Sequence, residues 1–281
     1  MYKLPLDKQV LVLSMLTEGS SIRAIERITG VNRNTIMSLL VRAGKQAEVI
    51  LDQRMRNIKS NFIQVDEIWA YVAKKQKQAT EADKQNGFGD QWVYVALDAE
   101  TKLVPVHFVS KRGMEGCDRM MEQLRDRITN RFQLSTDAFV GYRLAVYRAL
   151  GGDVDYGQVI KSYGGSERGQ EARYSPAKIL SVTIRPVMGN PRVRMISTSY
   201  VERQNLTIRM GNRRLTRLTN AFSKKLENLQ AAMALHFFHY NFIRGHSSLE
   251  GATPAMAARI SPSFWSWEQF LSEDRTWSVA A

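Results

Sequence analysis

Acidic residues are in short supply in this chain. It has 27 of them against 40 lysines and arginines in 281 residues, a formal net charge of +13. That imbalance points to nucleic acid or an anionic surface as a partner, the alternative being a protein that is merely basic and soluble. Cysteine is scarcer still. Cys117 stands alone, which excludes an internal disulfide framework and a cysteine-cluster zinc site and suits a reducing cytoplasm. Although 44% of the residues are hydrophobic, no apolar run approaches membrane-spanning length, so the chain reads as soluble with no membrane partner. The opening stretch "MYKLPLDKQVLVLSML" is interrupted by Asp7 and Lys8 and is followed by no small-residue cleavage site; no signal peptide is expected. Internal repeats and low-complexity tracts are missing as well. What remains is enough chain for one main domain plus a smaller one.

Residues 4 to 48 carry three helical patterns. "LDKQVLVLSMLTEG" ends at Gly19. "SSIRAIERITG" opens on serine caps, turns Ile22, Ile25 and Ile28 inward and stops at Gly30. "VNRNTIMSLLVRAGKQAEVI" opens on the Asn32–Asn34 cap signal. Two compact helices joined by a Gly-Val-Asn turn have the form of a helix-turn-helix. Its last helix would present Arg33, Asn34, Thr35 and Ser38 to base edges and phosphates. A small three-helix bundle or dimerisation unit is the alternative. Residues 49 to 60 read as a charged connector.

From residue 61 the period changes. "FIQVDEIWAYVAKK", "QWVYVALDAE" and "KLVPVHFVSKR" read as three strands of an antiparallel meander. A helix, "GCDRMMEQLRDRITN", leads to a fourth strand, "FQLSTDAF". A second helix, "GYRLAVYRAL", leads to a fifth strand, "YGQVIKSY". With a long terminal helical region, this is the order of an RNase H-like mixed sheet, an α/β (α+β) architecture, and it is compatible with other α/β folds. Residues 75 to 90 read as a mobile hairpin tip or loop, and about 164 to 198 as an insertion.

Three carboxylates fall where such a fold brings chain segments together: Asp66 in the first strand, Asp137 closing the fourth, and Glu202 opening the long helix. Phosphodiester chemistry needs such a cluster, with carboxylate oxygens holding two divalent ions about 3.5–4 Å apart. Oxygen ligands select Mg²⁺ or Mn²⁺. Each acid also has a plainer reading. Asp66 could sit at an exposed strand end with Glu67 as the inward acid. Asp137 could cap the following helix, and Glu202 could be a first-turn acid favoured by the helix dipole. At about 100° per residue, Glu202, Asn205, Arg209 and Arg213 share one helix face, an acid and an amide among guanidinium groups. His236 and His239 sit three apart with no acid to complete a metal set, which favours packing. Leu218, Phe222, Leu226, Leu229, Met233 and Phe237 form an apolar stripe, most simply core.

The stretches "QVDEIWAYVAKK", "STDAFVGY", "STSYVERQNLTIRMGNRRLTRLTNAFSKKLENL" and "YNFIRGHSSLEGATPAMAA" resemble the DDE transposases of the insertion sequence one-like family, within the retroviral-integrase superfamily. The likeness covers roughly residues 60 to 260 and is most specific around Glu202. It implies an RNase H-like catalytic core in which Asp66, Asp137 and Glu202 are the catalytic, metal-binding triad. It places Arg209 and Asn205 toward double-stranded DNA, with Arg213, Arg214 and Arg217 on phosphates. It also implies two Mg²⁺ or Mn²⁺ ions, element ends and target DNA as substrates, a homo-oligomer on DNA, and a cytoplasmic, nucleoid-associated location. Some relatives carry an N-terminal cysteine-rich zinc module; a chain with one cysteine has none. The organisation expected is a helix-turn-helix DNA-binding domain (1–48), a linker (49–60), the catalytic domain (61–260) and an aromatic amphipathic tail (261–281) containing "FWSWEQFL". Two rivals remain. One is a helix-turn-helix transcriptional regulator; the other is an RNase H-like nuclease that cuts DNA without a joining step.

Overall fold

The computed structural model describes residues 4–164, 178–217 and 219–273. Three helices come first: α1 (Leu6–Thr17), α2 (Ile22–Thr29) and α3 (Arg33–Arg54). Local chemistry sets the α2 ends. The Ser21 hydroxyl accepts the Ala24 N–H at 3.1 Å, and Gly30 closes the helix in the left-handed region at φ 70°. The Asn32 side chain then accepts the Asn34 N–H at 2.9 Å and starts α3. Ile25 is fully buried as expected, but Ile28 is 67% exposed. It sits in the last turn of an eight-residue helix, where α1 and α3 do not reach around to cover it. Helix α3 runs through Arg54, into the stretch read as a connector.

The sheet contains β1 (Phe62–Val72), β2 (Gly89–Asp98), β3 (Val106–Ser110), β4 (Phe132–Asp137), β5 (Val154–Tyr163) and β6 (Ile179–Met188), in the order β3-β2-β1-β4-β5-β6. Strands β1, β2 and β3 pair antiparallel, whereas β4 lies parallel to both β1 and β5. With the helices that precede it, this is a mixed α/β domain whose strand order is consistent with an RNase H-like sheet. The region read as an insertion supplies β6, an exposed antiparallel edge strand on β5; residues 165–177 of it lie outside the described residues. The hairpin tip between β1 and β2 holds a short helix, α4 (Glu81–Gln85), fixed by a capping box between Thr80 and Asp83.

Both sheet faces are covered, which is why the central strands read as nearly continuous apolar runs. On one face Ile63 and Val65 pack with α5 (Met114–Arg127) and α6 (Val140–Ala149). On the other, Ile68, Ala70 and Val72 join one cluster with α8 (Leu226–Phe238) and residues of α1, α2 and α3. The first three helices therefore share a core with the sheet domain. Contact between α3 and α8 is close: a Cβ at Gly44 would lie 2.5 Å from Ala231.

The long terminal helical region is divided. Helix α7 (Ser199–Gly211) stops at Asn212, an irregular segment follows, and α8 begins only at Leu226. Leu218, part of the apolar stripe, lies outside the described residues. The chain continues through α9 (Pro254–Ala257) and α10 (Trp267–Glu273). Trp265, Trp267 and Phe270 of the aromatic tail dock on Phe238 of α8. No helix among the described residues is long and apolar enough to cross a membrane.

Candidate active site

Parallel pairing of β1 with β4 builds the site. The register runs Phe62↔Gln133 to Val65↔Thr136. The next residue of each strand is an aspartate, Asp66 in one and Asp137 in the other. Glu67 follows directly. One ligand oxygen from each of Asp66, Glu67 and Asp137 lies within 4.8 Å of the other two. Three acidic side chains thus form a cluster able to coordinate a divalent metal ion.

Strand alternation sends the neighbours of this cluster to opposite faces. Gln64 shares the Asp66 face, and its Oε1 accepts the N–H groups of Tyr200 and Val201 at 2.9 and 3.1 Å. Helix α7 is thereby capped by a strand side chain, since its own N-cap residue, Thr198, makes no side-chain capping bond. Further along α7, Asn205 Nδ2 donates to Asp66 Oδ2 at 2.7 Å. Glu67 points the other way: the Tyr142 hydroxyl donates to its Oε1 at 2.5 Å. Arg112 Nη2 lies 3.4 Å from both Glu67 Oε2 and Asp137 Oδ2. The Arg112 guanidinium stacks 4.9 Å from the Trp92 ring centre and 4.2 Å from that of Phe139. Asp137 Oδ1 accepts the Phe139 N–H at 2.9 Å in the turn before α6, but it does not cap that helix, whose N-cap residue is Phe139 and makes no side-chain capping bond.

Electrostatics follows from this crowding. Burial pushes the Asp66 carboxyl up to about 7; the backbone N–H of Glu67 opposes the shift, and the charges of Glu67, Asp137 and Glu202 add to it. Burial likewise raises Glu67, against the Tyr142 hydrogen bond and Arg112. Arg112 is the one cation within salt-bridge reach of the cluster among the described residues. Beside Asp66, Asn205 Oδ1 is buried with no hydrogen-bond partner among the described residues. Crowded carboxylates, an orphaned amide oxygen and an all-oxygen donor set fit a hard divalent cation.

The residues singled out in the sequence are brought together only in part. Asp66 and Asp137 meet, but the third acid within 4.8 Å is Glu67. Glu202 stands outside that group: Lys161 of β5 and the Thr198 hydroxyl both donate to its Oε1. It remains near enough for its charge to be felt at Asp66. Arg209 is half-buried, and burial lowers its pKa; the nearby Arg217 lowers it further while Asp66 raises it. Arg213 is exposed but has left the α7 face, because the helix ends at Gly211 and Arg213 starts a separate 3₁₀ turn. Arg214 turns inward to Ser223 Oγ (3.0 Å) and Met37 Sδ (3.5 Å). Arg33, Asn34, Thr35 and Ser38 are all exposed at the start of α3. His236 and His239 are buried, and burial lowers their pKa to about 3 and about 4. His246 Nδ1 accepts the Ser248 N–H at 3.3 Å and caps a turn.

Sequence reasoning did not select Arg112, Tyr142, Lys161 or Gln64, and it held Glu67 only as an alternative to Asp66. Two adjacent acids inside the apolar strand "VDEIW" were the available signal. The others reach the site from separate strands, a helix and a loop, where spacing along the chain carries no information.

No family model and no curated protein sequence matches this chain. Among solved structures it is similar to a piggyBac transposase synaptic complex with hairpin DNA: TM-score 0.43, 10% identity, 98% of this chain and 72% of that chain covered. It is also similar to the Mos1 strand transfer complex, at TM-score 0.25 and 12% identity over 56% of this chain and 59% of the other. A pre-cleavage Mos1 transpososome gives 0.22 and 11%, over 56% of this chain and 60% of that one. At these scores the likeness decides neither mechanism nor substrate.

Proposed function

We propose that this protein is a DDE-type transposase, cutting DNA at the ends of an insertion sequence and joining them to a target. The observation that carries this reading is the juxtaposition of Asp66, inside strand β1, with Asp137, which closes the parallel strand β4, and with Glu67 within 4.8 Å of both. The resemblance of the residues around Glu202 to insertion sequence one-like transposases adds to it.

Asp66, Asp137 and Glu202 are the ligands proposed for two divalent cations, magnesium or manganese, with Glu67 as a further oxygen donor beside them. Bound there, such ions would lower the pKa of an attacking water or 3′-hydroxyl and offset charge on the leaving oxygen. The chain's own residues then do the positioning. Gln64 and Asn205 lock α7, the helix that carries Glu202, against β1. Arg112 offsets part of the carboxylate charge from the opposite face. Arg209 and the exposed Arg213 are the residues this reading assigns to phosphates of double-stranded DNA. Arg33, Asn34, Thr35 and Ser38 on α3 would contact the element end in a groove. Bridging two element ends calls for a homo-oligomer on DNA, which in a cell would be nucleoid-associated.

The test is incubation of the purified protein with magnesium and a pre-cleaved duplex end. Joined products that disappear in Asp137→Ala, with duplex binding kept, support strand transfer. Strand release without joining identifies a nuclease. Duplex binding with no cleavage, and no effect of Asp137→Ala, identifies a regulator and removes the proposal.

A further inference from the structure

A second cavity, of about 530 Å³, lies between the first helices and the irregular segment after α7. None of its lining residues belongs to the acid cluster. Four basic side chains line it, Arg23, Arg213, Arg214 and Lys224, and among the described residues no Asp or Glu does. Arg214 is desolvated enough to bring its pKa down to about 10, and its hydrogen-bond partners are a hydroxyl and a thioether rather than a carboxylate. A guanidinium drawn out of water without a counter-ion is costly, and an anion entering the cavity would offset that cost. Ser20, Ser21, Ile22 and Arg23 bring the N-terminus of α2 to the same wall. There the first N–H groups of a helix lack partners within the helix and favour negative charge.

A different observation points beyond an inorganic ion. His236 lines the cavity at 3% exposure, and neither ring nitrogen has a hydrogen-bond partner among the described residues. Buried polar groups of this kind are ordinarily satisfied. Around it Ile22, Met37, Leu40 and Leu235 provide apolar wall. The cavity thus has a cationic rim, an apolar body and an unused donor–acceptor ring. Its volume falls in the range, roughly 300–1,000 Å³, that suits one small organic ligand.

We propose that this cavity binds a nucleoside phosphate, with the phosphate on Arg214 and its basic neighbours and the hydrogen-bonding edge of the base on His236. The unit can come from a free nucleotide or from the unpaired end of a nucleic-acid strand. Neither source depends on the DNA-cutting reading.

Calorimetric titration of the full chain with adenosine 5′-monophosphate, adenosine, inorganic phosphate and a short 5′-phosphorylated single-stranded oligonucleotide tests it. The mononucleotide or the oligonucleotide should bind at least about tenfold more tightly than adenosine or phosphate, since each of those lacks one half of the recognition. Tighter binding of the mononucleotide assigns a free nucleotide; tighter binding of the oligonucleotide assigns a strand end. Arg214→Met and His236→Phe should each weaken binding about tenfold, and Arg214→Lys should weaken it less. In the unmutated chain, ring ¹⁵N signals of His236 should shift on titration, a readout that needs no variant to fold. Absence of binding by both nucleotide probes, phosphate binding as tight as that of the nucleotides, or unmoved His236 signals overturns the proposal.

Discussion

Asn205 and Asp66, 139 positions apart in sequence, are joined by a 2.7 Å hydrogen bond from Nδ2 to Oδ2. It ties α7 to β1 beside the acid cluster and leaves Asn205 Oδ1 without a partner among the described residues. Asn205→Ala should therefore lower stability by about 1–3 kcal/mol near neutral pH, the range for a lost hydrogen bond to a charged or half-charged carboxylate. Urea unfolding measures it. A midpoint equal to that of the unmutated chain would mean that the bond contributes nothing.

Asp66 gives a pH signature. Its carboxyl rises from 3.8 to about 7 on folding, so its contribution to stability is full below pH 3.8 and is lost as pH rises through about 7. Asp66→Asn should remove that loss. The metal-free variant should be more stable than the parent above about pH 7, and the advantage should shrink toward pH 4. Magnesium should raise the melting temperature of the parent above pH 7 and do less for the variant. Thermal unfolding across this range, with magnesium and with a chelator, provides the comparison.

The buried histidines work in the opposite sense. His236 and His239 fall from 6.5 to about 3 and about 4, so the stability they contribute is present above pH 6.5 and is lost as pH drops toward those values. The chain should begin to weaken below about pH 6.5, ahead of ordinary carboxylate titration. His236→Phe should flatten this acid limb. An unchanged limb would place the acid sensitivity in other groups.

Packing supplies the fourth prediction. A methyl group at Gly44 would come within 2.5 Å of Ala231 backbone and side-chain atoms, whereas one at Gly152 meets nothing within 4 Å. Gly44→Ala should cost about 2 kcal/mol by forcing α3 from α8, and Gly152→Ala should change stability by less than about 0.5 kcal/mol. Denaturant midpoints of the two variants decide it. Equal midpoints would show that the α3–α8 contact can open without penalty.

Much of the strand order was legible because β-branched and aromatic runs and Gly-bounded helices are local signals, carried by residues such as Ile63, Val65, Ser21 and Gly30. Asp66 and Asp137 were legible for a related reason: an acid inside or at the end of an apolar strand stands out. Strand β6 was not, because it is an exposed edge strand with no buried face to imprint a pattern on its sequence, and only pairing with β5 defines it. The end of α7 was legible only as an alternative, a break at Gly211–Asn212, because the arginine run past it continues the composition of the helix but not its hydrogen bonding. Arg213 lost its place on the face with it.

Composition and periodicity alone determined a basic chain of helices followed by a mixed sheet, with one aspartate inside its first strand and another closing its fourth. Local backbone preference and burial of apolar faces require nothing further. Tertiary structure decided which acids meet, since strand register sets Glu67 beside Asp66 and Asp137 while Lys161 and Thr198 hold Glu202 apart. It also decided that Arg214 and His236 share a cavity. Contacts between side chains far apart in sequence depend on register and helix placement, and those are fixed only when the whole core packs.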